Sequence, residues 1–531
     1  MNILPASYFF KFIRPTQYRL HKTININFFN KFSTQMHHHV PQLRDPQLLK
    51  TNVAFVNGEW VSAKSGKTFE VFDPYSGNLI GKAPEFNAED VILAIRAAEA
   101  AFPKYRVKTG RERSKILRNW YNLIIENAED LAKIITWENG KPLADATGEV
   151  SYAANFLEWF SEEAPRAYGD TIPATVASNR IVTIKEPVGV CGIITPWNFP
   201  APMLTRKIGP ALASGCTVVA KCPGETPFTA FALAELGNRA GIPKGVVNIV
   251  SAMENNSIVG EALTTSPTIR KLSFTGSTGV GKLLMRQCSS SLKKISLELG
   301  GNAPLIVFDD ADMDLAIAGT ITSKFRSSGQ TCVCPNRIFV QSKIYDRFAD
   351  QLAAKVKEFR VGSGFAKGIT HGPLIHEKAV AKVEAHVRDA EKKGGKIIQG
   401  GHFMPELGLN FYQPTVIINM TSEMVIASEE TFGPVAAIFR FETEDEVVKF
   451  ANSSSVGLAA YIFSQDQNKV MRVAEALDVG MVGVNTGVIS DPASPFGGVK
   501  ESGFGREGSM YGIAEYQVIK TITFGGIKSL I

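Results

Sequence analysis

Disulfide chemistry is the first thing this chain lacks. It holds six cysteines in 531 residues, too few and too scattered for a covalent framework, so a reducing compartment is the default. Long apolar runs are missing too: no stretch of about 18 apolar residues supplies a transmembrane helix, and no membrane partner is expected. Charge of one sign is scarce outside the first 44 residues. Those hold Lys11, Arg14, Arg19, Lys22, Lys31 and Arg44 with no acid, and without these six cations the Lys and Arg equal the 51 Asp and Glu. Such a neutral body argues against a nucleic-acid partner. Internal repeats and low-complexity linkers are absent as well. What is present is an ordinary globular composition, 44% hydrophobic and 20% charged, in a chain long enough for two or three domains.

The acid-free leader sets Phe9, Phe10, Phe12, Ile13, Phe28, Phe29 and Phe32 among its cations. That pattern reads as a mitochondrial presequence over residues 1–35, with a disordered tail as the alternative. A matrix location is expected, and translation from Met36 would leave a cytoplasmic form.

Downstream, residues 53–60 read as a strand broken by an Asn57-Gly58 turn, with 69–72 as the next strand. Val91, Ile95, Ala98 and Phe102 share one face of a helix capped by Asn87. A second helix runs over 111–123, and Asn127 caps a third that stops at Gly140-Lys141-Pro142. From residue 181 onward, apolar β-branched runs at 188–194, 217–221, 246–250 and 271–275 alternate with helices, one of them opened by Thr226-Pro227. This alternation predicts an open parallel sheet covered on both faces. A second α/β unit begins at 303–308, continues with an Asp310-capped helix, and runs through 337–340 and 461–463 to 481–485.

Cys332 lies past that helix, framed by Gly329 and small polar residues, where backbone N–H groups can face its sulfur. An inert loop cysteine is the plain alternative. Asn198, between Trp197 and two prolines, offers an amide on a stiffened turn; with the Cys332 N–H it suits a developing oxyanion, or it serves the turn alone. Glu298 ends an apolar run before Gly300-Gly301, as a general base against an apolar wall or as a solvated strand end. Gly276-Ser277-Thr278-Gly279-Val280-Gly281 follows a strand and opens a helix, so its backbone can approach a phosphate; a simple strand-to-helix turn looks the same. Lys221, at the carboxyl end of a strand, reaches ribose hydroxyls or stands at the surface. No metal site is indicated.

Together these stretches resemble the aldehyde dehydrogenase family from residue 50 onward. The matching pieces are Pro196 to Pro200, Phe274 to Gly281, Glu298-Leu299-Gly300-Gly301, Gly329-Gln330-Thr331-Cys332, Glu429 to Pro434 and Pro495-Phe496-Gly497-Gly498. The resemblance implies an α/β fold in three parts. A parallel-sheet dinucleotide-binding domain takes 48–170 and 191–302, and an α/β catalytic domain takes 303–507. A β-hairpin oligomerisation element at 171–190 and 508–531 joins subunits into a homodimer or homotetramer. The same resemblance implies Cys332 as nucleophile, Asn198 and the Cys332 amide as oxyanion donors, and Glu298 as base, with NAD or NADP as hydride acceptor. Trp197, Lys221, Gly224, Gly276, Ser277, Thr278, Gly279, Val280, Gly281, Glu430 and Phe432 are the implied cofactor contacts.

Within the family the chain resembles succinate-semialdehyde dehydrogenases at Thr205-Arg206-Lys207, Lys324-Phe325-Arg326 and Gly487-Val488-Ile489-Ser490. This implies that Arg206, Arg326 and Ser490 hold the distal carboxylate of a small aldehyde. Two guanidinium groups suit a carboxylate at the far end of a short chain, although either arginine alone fits a structural ion pair. The expected reaction is oxidation of succinate semialdehyde to succinate, as in 4-aminobutyrate degradation, through a cysteine thiohemiacetal and thioester. Glutarate semialdehyde or a broad set of aldehydes is the alternative; a non-catalytic scaffold on this fold is an alternative of another class. Cys332-Val333-Cys334 further resembles a redox-switch pair of that subfamily, with Cys334 otherwise a passive small residue. Gly224 stands where many NAD-preferring members carry a ribose-binding glutamate, so a 2′-phosphate would meet less repulsion, with Glu225 next door as a partial substitute.

Overall fold

The computed structural model describes residues 40–528. The presequence assigned to 1–35 and the alternative start at Met36 lie outside the described residues. Asn57 and Gly58 both adopt positive φ, 55° and 75°, which is the turn that joins the short antiparallel strands Ala54–Val56 and Glu59–Val61. Asn87 and Asp90 form a reciprocal capping box at the start of the helix Ala88–Arg106, and Thr109 with Glu112 does the same for Gly110–Glu126.

Three caps differ from the sequence expectation. Asn127 does not cap Ala128–Asn139; its amide turns back to the Leu123 carbonyl at 2.8 Å and closes the preceding helix instead. Thr226 likewise makes no side-chain cap for Pro227–Arg239. The buried Glu138 carboxylate does this from another helix, accepting from the Phe228 and Thr229 N–H groups at 2.8 Å each. Asp312, not Asp310, caps Met313–Phe325, while Asp310 accepts from Ser464 and pairs with Lys469. For Thr226 and Asp310 the competing groups lie far away in the chain, which periodicity cannot reveal, whereas Asn127 turns to a carbonyl only four residues upstream. A fourth helix, Leu143–Glu163, follows directly after Pro142.

Two sheets organise the rest. In the first, Lys294–Glu298, Ile269–Thr275, Val190–Ile194, Thr217–Lys221 and Val247–Val250 lie parallel in that spatial order. Gly503–Phe504 adds an antiparallel edge to Lys294–Glu298. The helices Pro200–Ser214, Pro227–Arg239, Asn256–Thr265 and Thr278–Cys288 connect or flank these strands. The second sheet runs Lys396–Gln399, Thr415–Met420, Val435–Phe441, Pro335–Gln341, Ala303–Val307, Ala459–Phe463, Met481–Val484, and only its first strand is antiparallel. Its two faces bury different cores: Leu305 and Val307 pack in one cluster and Ile306 in the other, the period of two expected of a sheet covered on both sides.

Apart from these, Arg180–Pro187 pairs antiparallel with Gln517–Phe524 along its full length and with Thr171–Ile172 at one end. Among the described residues no helix is long and apolar enough to cross a membrane, and no cluster of three His, Cys, Asp or Glu could hold a metal.

Candidate active site

Strand ends supply one wall of the site. Ile194 pairs with Lys221 on one side and with Phe274 on the other, and Thr275 pairs with Glu298, so four parallel strands stop at one level. The chain leaves Val190–Ile194 toward one edge of the sheet and later returns to build the other. Ligands bind outside the carboxyl ends of strands at such a reversal. There the helix Thr278–Cys288 begins, with the Ser277 hydroxyl accepting from the Val280 N–H at its first turn. Its N-terminal end carries partial positive charge suited to a phosphate.

The turn at 196–200 is anchored from below. The Asn139 amide donates to the Trp197 carbonyl at 3.0 Å. Lys141, fully buried, donates to the Asn198 carbonyl at 2.7 Å and pairs with Glu149, whose other oxygen accepts from the Ala201 N–H at 3.1 Å. One buried ion pair thus holds both ends of the turn. Asn198 is 4% exposed and gives one amide N–H to the Gln330 carbonyl at 3.1 Å, which leaves its second N–H for another acceptor.

Loops supply the opposite wall. After Met313–Phe325 the chain passes through three left-handed residues in succession, Ser327, Ser328 and Gly329, with φ of 49°, 54° and 75°. Left-handed serines are costly and persist only where neighbours hold them. Here Ser328 donates to the Gly372 carbonyl, and the Gln330 side chain accepts from the Ile375 N–H. A Cβ on Gly329 would stand 2.1 Å from the Gly433 carbonyl oxygen. This run delivers Cys332, half-buried, against Gly301. Phe432, also at positive φ, meets Trp197 edge-on at 5.7 Å.

Between the walls lies a cleft of about 260 Å³ that brings together Trp197, Asn198, Gly276, Ser277, Glu298, Cys332, Glu430 and Phe432. Burial, then the Glu298 carboxylate beside it, pushes the Cys332 thiol well above its ordinary value, with Arg206 acting in the other direction. The resting sulfur is therefore protonated, with a carboxylate at hand to take the proton. Burial also raises Glu430, to about 7, against the pull of Lys382.

Glu298 is not set against an apolar wall. It forms an ion pair with Arg206 at 2.5 Å, and Arg206 also pairs with Glu507, which Lys207 contacts in turn. Burial would raise Glu507, but Arg206 and Lys207 outweigh it and hold its carboxyl below the usual range. The two arginines expected to act alike are therefore unlike. Arg206 is buried and shared between two carboxylates, whereas Arg326 is half-buried, makes no ion pair among the described residues, and rests 5.1 Å over the Phe199 ring. Ser490 is partly buried. Cys334 is buried, its thiol directed at the Lys324 carbonyl at 3.4 Å, and its N–H closes a turn onto the Thr331 carbonyl.

The residues fit a dinucleotide. Lys221, buried at its strand end, has its ammonium pushed down by burial and makes no hydrogen bond or ion pair among the described residues, so it is left for a ligand. A Cβ on Gly224 would come within 2.9 Å of the Met253 sulfur and 3.0 Å of the Ala252 carbonyl oxygen, so this position offers no carboxylate and little room for one. A model of the aldehyde dehydrogenase family matches residues 60–522. The chain belongs to the aldehyde dehydrogenase family.

Several aldehyde dehydrogenases are more closely similar. Succinate-semialdehyde dehydrogenase [NADP(+)] 1 of Schizosaccharomyces pombe is 57% identical over 88% of this chain and 94% of its own length. A glutarate-semialdehyde dehydrogenase of Pseudomonas aeruginosa is 52% identical over 92% and 100%. The human mitochondrial succinate-semialdehyde dehydrogenase is 52% identical over 90% and 89%. Among solved structures, succinate-semialdehyde dehydrogenase from Burkholderia pseudomallei superposes with a TM-score of 0.90 at 54% identity, covering 92% of this chain and 100% of that one. The shared aldehyde dehydrogenase fold is the α/β architecture expected from the sequence.

Sequence reading missed Lys141, Glu149, Tyr152, Lys382 and Glu507. Tyr152 and Glu149 sit three apart on Leu143–Glu163, the helix it overlooked. Buried charge in an apolar helix was the available signal for Glu149.

Proposed function

We propose that this enzyme oxidises succinate semialdehyde to succinate with NAD or NADP, and that NADP is preferred. The observation that carries the substrate is Arg326, a guanidinium over the Phe199 ring that acts on the same phenol, Tyr152, as Cys332 does and has no ion-pair partner among the described residues; the S. pombe and human relatives point the same way. Gly224 supports NADP, since no carboxylate stands there to repel a 2′-phosphate.

In this reading the Cys332 thiol passes its proton to Glu298 as the sulfur bonds to the aldehyde carbon. The free N–H of Asn198 and the Cys332 amide hold the oxyanion of the resulting thiohemiacetal. The bound dinucleotide supplies the hydride acceptor. With the hydride gone, Cys332 carries a thioester. Glu298, having released its first proton to solvent, then takes a proton from water, the hydroxide adds to the thioester carbon, and the Cys332 thiolate leaves as succinate forms. Lys221, Gly276 to Gly281, Trp197, Glu430 and Phe432 hold the dinucleotide, while Arg326, Ser490 and a shared edge of Arg206 hold the distal carboxylate. The domain boundaries given above, assembly through Arg180–Pro187 and Gln517–Phe524 with their exposed Ile519 and Phe524, and a presequence directing the chain to mitochondria complete the reading. A Cys332–Cys334 disulfide as a reversible brake belongs to it too; it falls if a dithiol restores peroxide-treated enzyme equally well in Cys334→Ala.

The decisive experiment compares succinate semialdehyde, glutarate semialdehyde and butanal with NAD and with NADP. Succinate semialdehyde should lead in kcat/KM, and Arg326→Ala should lower that lead by about 100-fold, the cost of an unpaired carboxylate. Equal use of butanal would leave a broad aldehyde dehydrogenase, and a lead for the five-carbon semialdehyde would make glutarate semialdehyde the substrate.

A further inference from the structure

One polar group near Cys332 is left over once the roles above are assigned. The Tyr152 hydroxyl is buried from solvent and has no hydrogen-bond partner among the described residues. An orphaned hydroxyl in an interior costs free energy that a phenylalanine would avoid, so its presence needs a partner that arrives later.

The position says which partner. Tyr152 lies on Leu143–Glu163, one turn from Glu149, with its ring edge-on to Phe156 at 4.9 Å. The next residue along, Ala153, accepts from the Thr205 hydroxyl at 2.8 Å through its carbonyl, so the turns bearing Tyr152 and Arg206 are in contact. The groups whose charges and dipoles act on the phenol are Arg206, Ser490, Arg326 and Cys332. Three of these are the residues assigned to the substrate's carboxylate and the fourth is the nucleophile. Ser490 stands beside the phenol without forming a well-aligned bond to it.

We propose that Tyr152 is a specificity-determining residue that donates its hydroxyl hydrogen bond to the distal carboxylate of the substrate, completing a pocket with Arg326 and Ser490. A neutral phenol can only serve an anion here as a donor, and burial pushes its ionisation upward, so the proton stays on oxygen at neutral pH. The pocket then reads a carboxylate by two kinds of contact: Arg326 supplies charge, while Tyr152 and Ser490 supply directed donors that fix the tail's orientation and hence the reach of the aldehyde toward Cys332. An aldehyde without the carboxylate leaves the phenol unpaired in the complex as well. That adds discrimination against neutral aldehydes beyond simple charge.

This inference rests on the succinate-semialdehyde reading and deepens it, and the experiment separates the two. The full chain with NADP is assayed with succinate semialdehyde and with butanal, in wild type and in Tyr152→Phe, and succinate is titrated as an unreactive probe of the pocket. Hydrogen bonds to charged groups are worth enough that the semialdehyde-to-butanal ratio of kcat/KM should fall roughly tenfold or more in Tyr152→Phe. Succinate binding should weaken by a similar factor. Because the hydroxyl is unpaired in the free protein, the variant should melt no lower than wild type, which guards against misreading a folding defect. An unchanged ratio, or a lower melting temperature with equal loss on both aldehydes, overturns the role. If wild type itself shows no preference for the semialdehyde, the substrate reading fails first and takes this inference with it.

Discussion

The two walls of the cleft are built in opposite ways. The wall carrying Gly276, Ser277 and Glu298 consists of strand ends and a helix start in regular geometry. The wall carrying Cys332 and Phe432 consists of loops, with four non-glycine or glycine residues, Ser327, Ser328, Gly329 and Phe432, held at positive φ. Regular elements position a ligand through the backbone they already satisfy, so the strand wall costs the fold little. The loop wall stores strain that its contacts to Gly372, Ile375 and Gly433 must offset. The difference suits the division of work in the proposed reading: a dinucleotide needs a broad cradle, whereas a reacting sulfur must be held to within a fraction of an ångström.

Glycine substitutions on each wall should break this contrast unequally. Gly329→Ala places a Cβ against the Gly433 backbone at φ 75°, and backbone cannot turn aside as a side chain can. A shift of about 1 Å in the loop is enough to lower kcat by roughly 100-fold, while NADP binding, read by titration of the free enzyme, should change little. Gly281→Ala puts its Cβ 2.4 Å from the Leu299 side chain, which has some freedom to move. Overpacking of that kind costs about 1–3 kcal/mol, so the expected result is a rise in the KM for NADP with kcat within a few fold. Equal effects on kcat from both variants would erase the distinction between the walls.

The same contrast decides what the sequence could show. The strands of the first sheet and the helix after Gly276 announce themselves by apolar β-branched runs and a glycine-rich opening, because their determinants are local. The left-handed run at Ser327 and Ser328 carries no such mark; Gly329 and the small polar residues around Cys332 indicate a loop, but serine gives no sign of positive φ. Long-range partners were equally hidden. Thr226 and Asp310 looked like caps by spacing, yet Glu138 caps the helix after Thr226, and Asp310 is engaged by Ser464 and Lys469, all far away in the chain. Arg206 and Arg326 looked equivalent beside their motifs, yet pairing with Glu298 and Glu507 is a tertiary fact and separates them.

Glu430 joins the two walls, since it comes from the loop side and accepts from the Gly301 N–H at 3.5 Å on the other. Its carboxyl lies at about 7 instead of the ordinary 4.5 because it is buried. The sign follows from linkage: a carboxyl raised in the folded state costs stability as pH climbs from 4.5 toward 7, because the native protein must ionise a buried acid that the unfolded chain ionises freely. If Glu430 accepts from a ribose hydroxyl, the charged form is the better acceptor, and cofactor binding favours ionisation. The KM for NADP should then fall a few fold between pH 6 and pH 8, and NADP should raise the melting temperature more at the higher pH, with both trends flattened in Glu430→Gln. An effect this small is best read as a difference between wild type and variant on the same buffers. A pH dependence that survives unchanged in Glu430→Gln would assign it to another group and leave the loop wall's part in holding the cofactor to Phe432 alone.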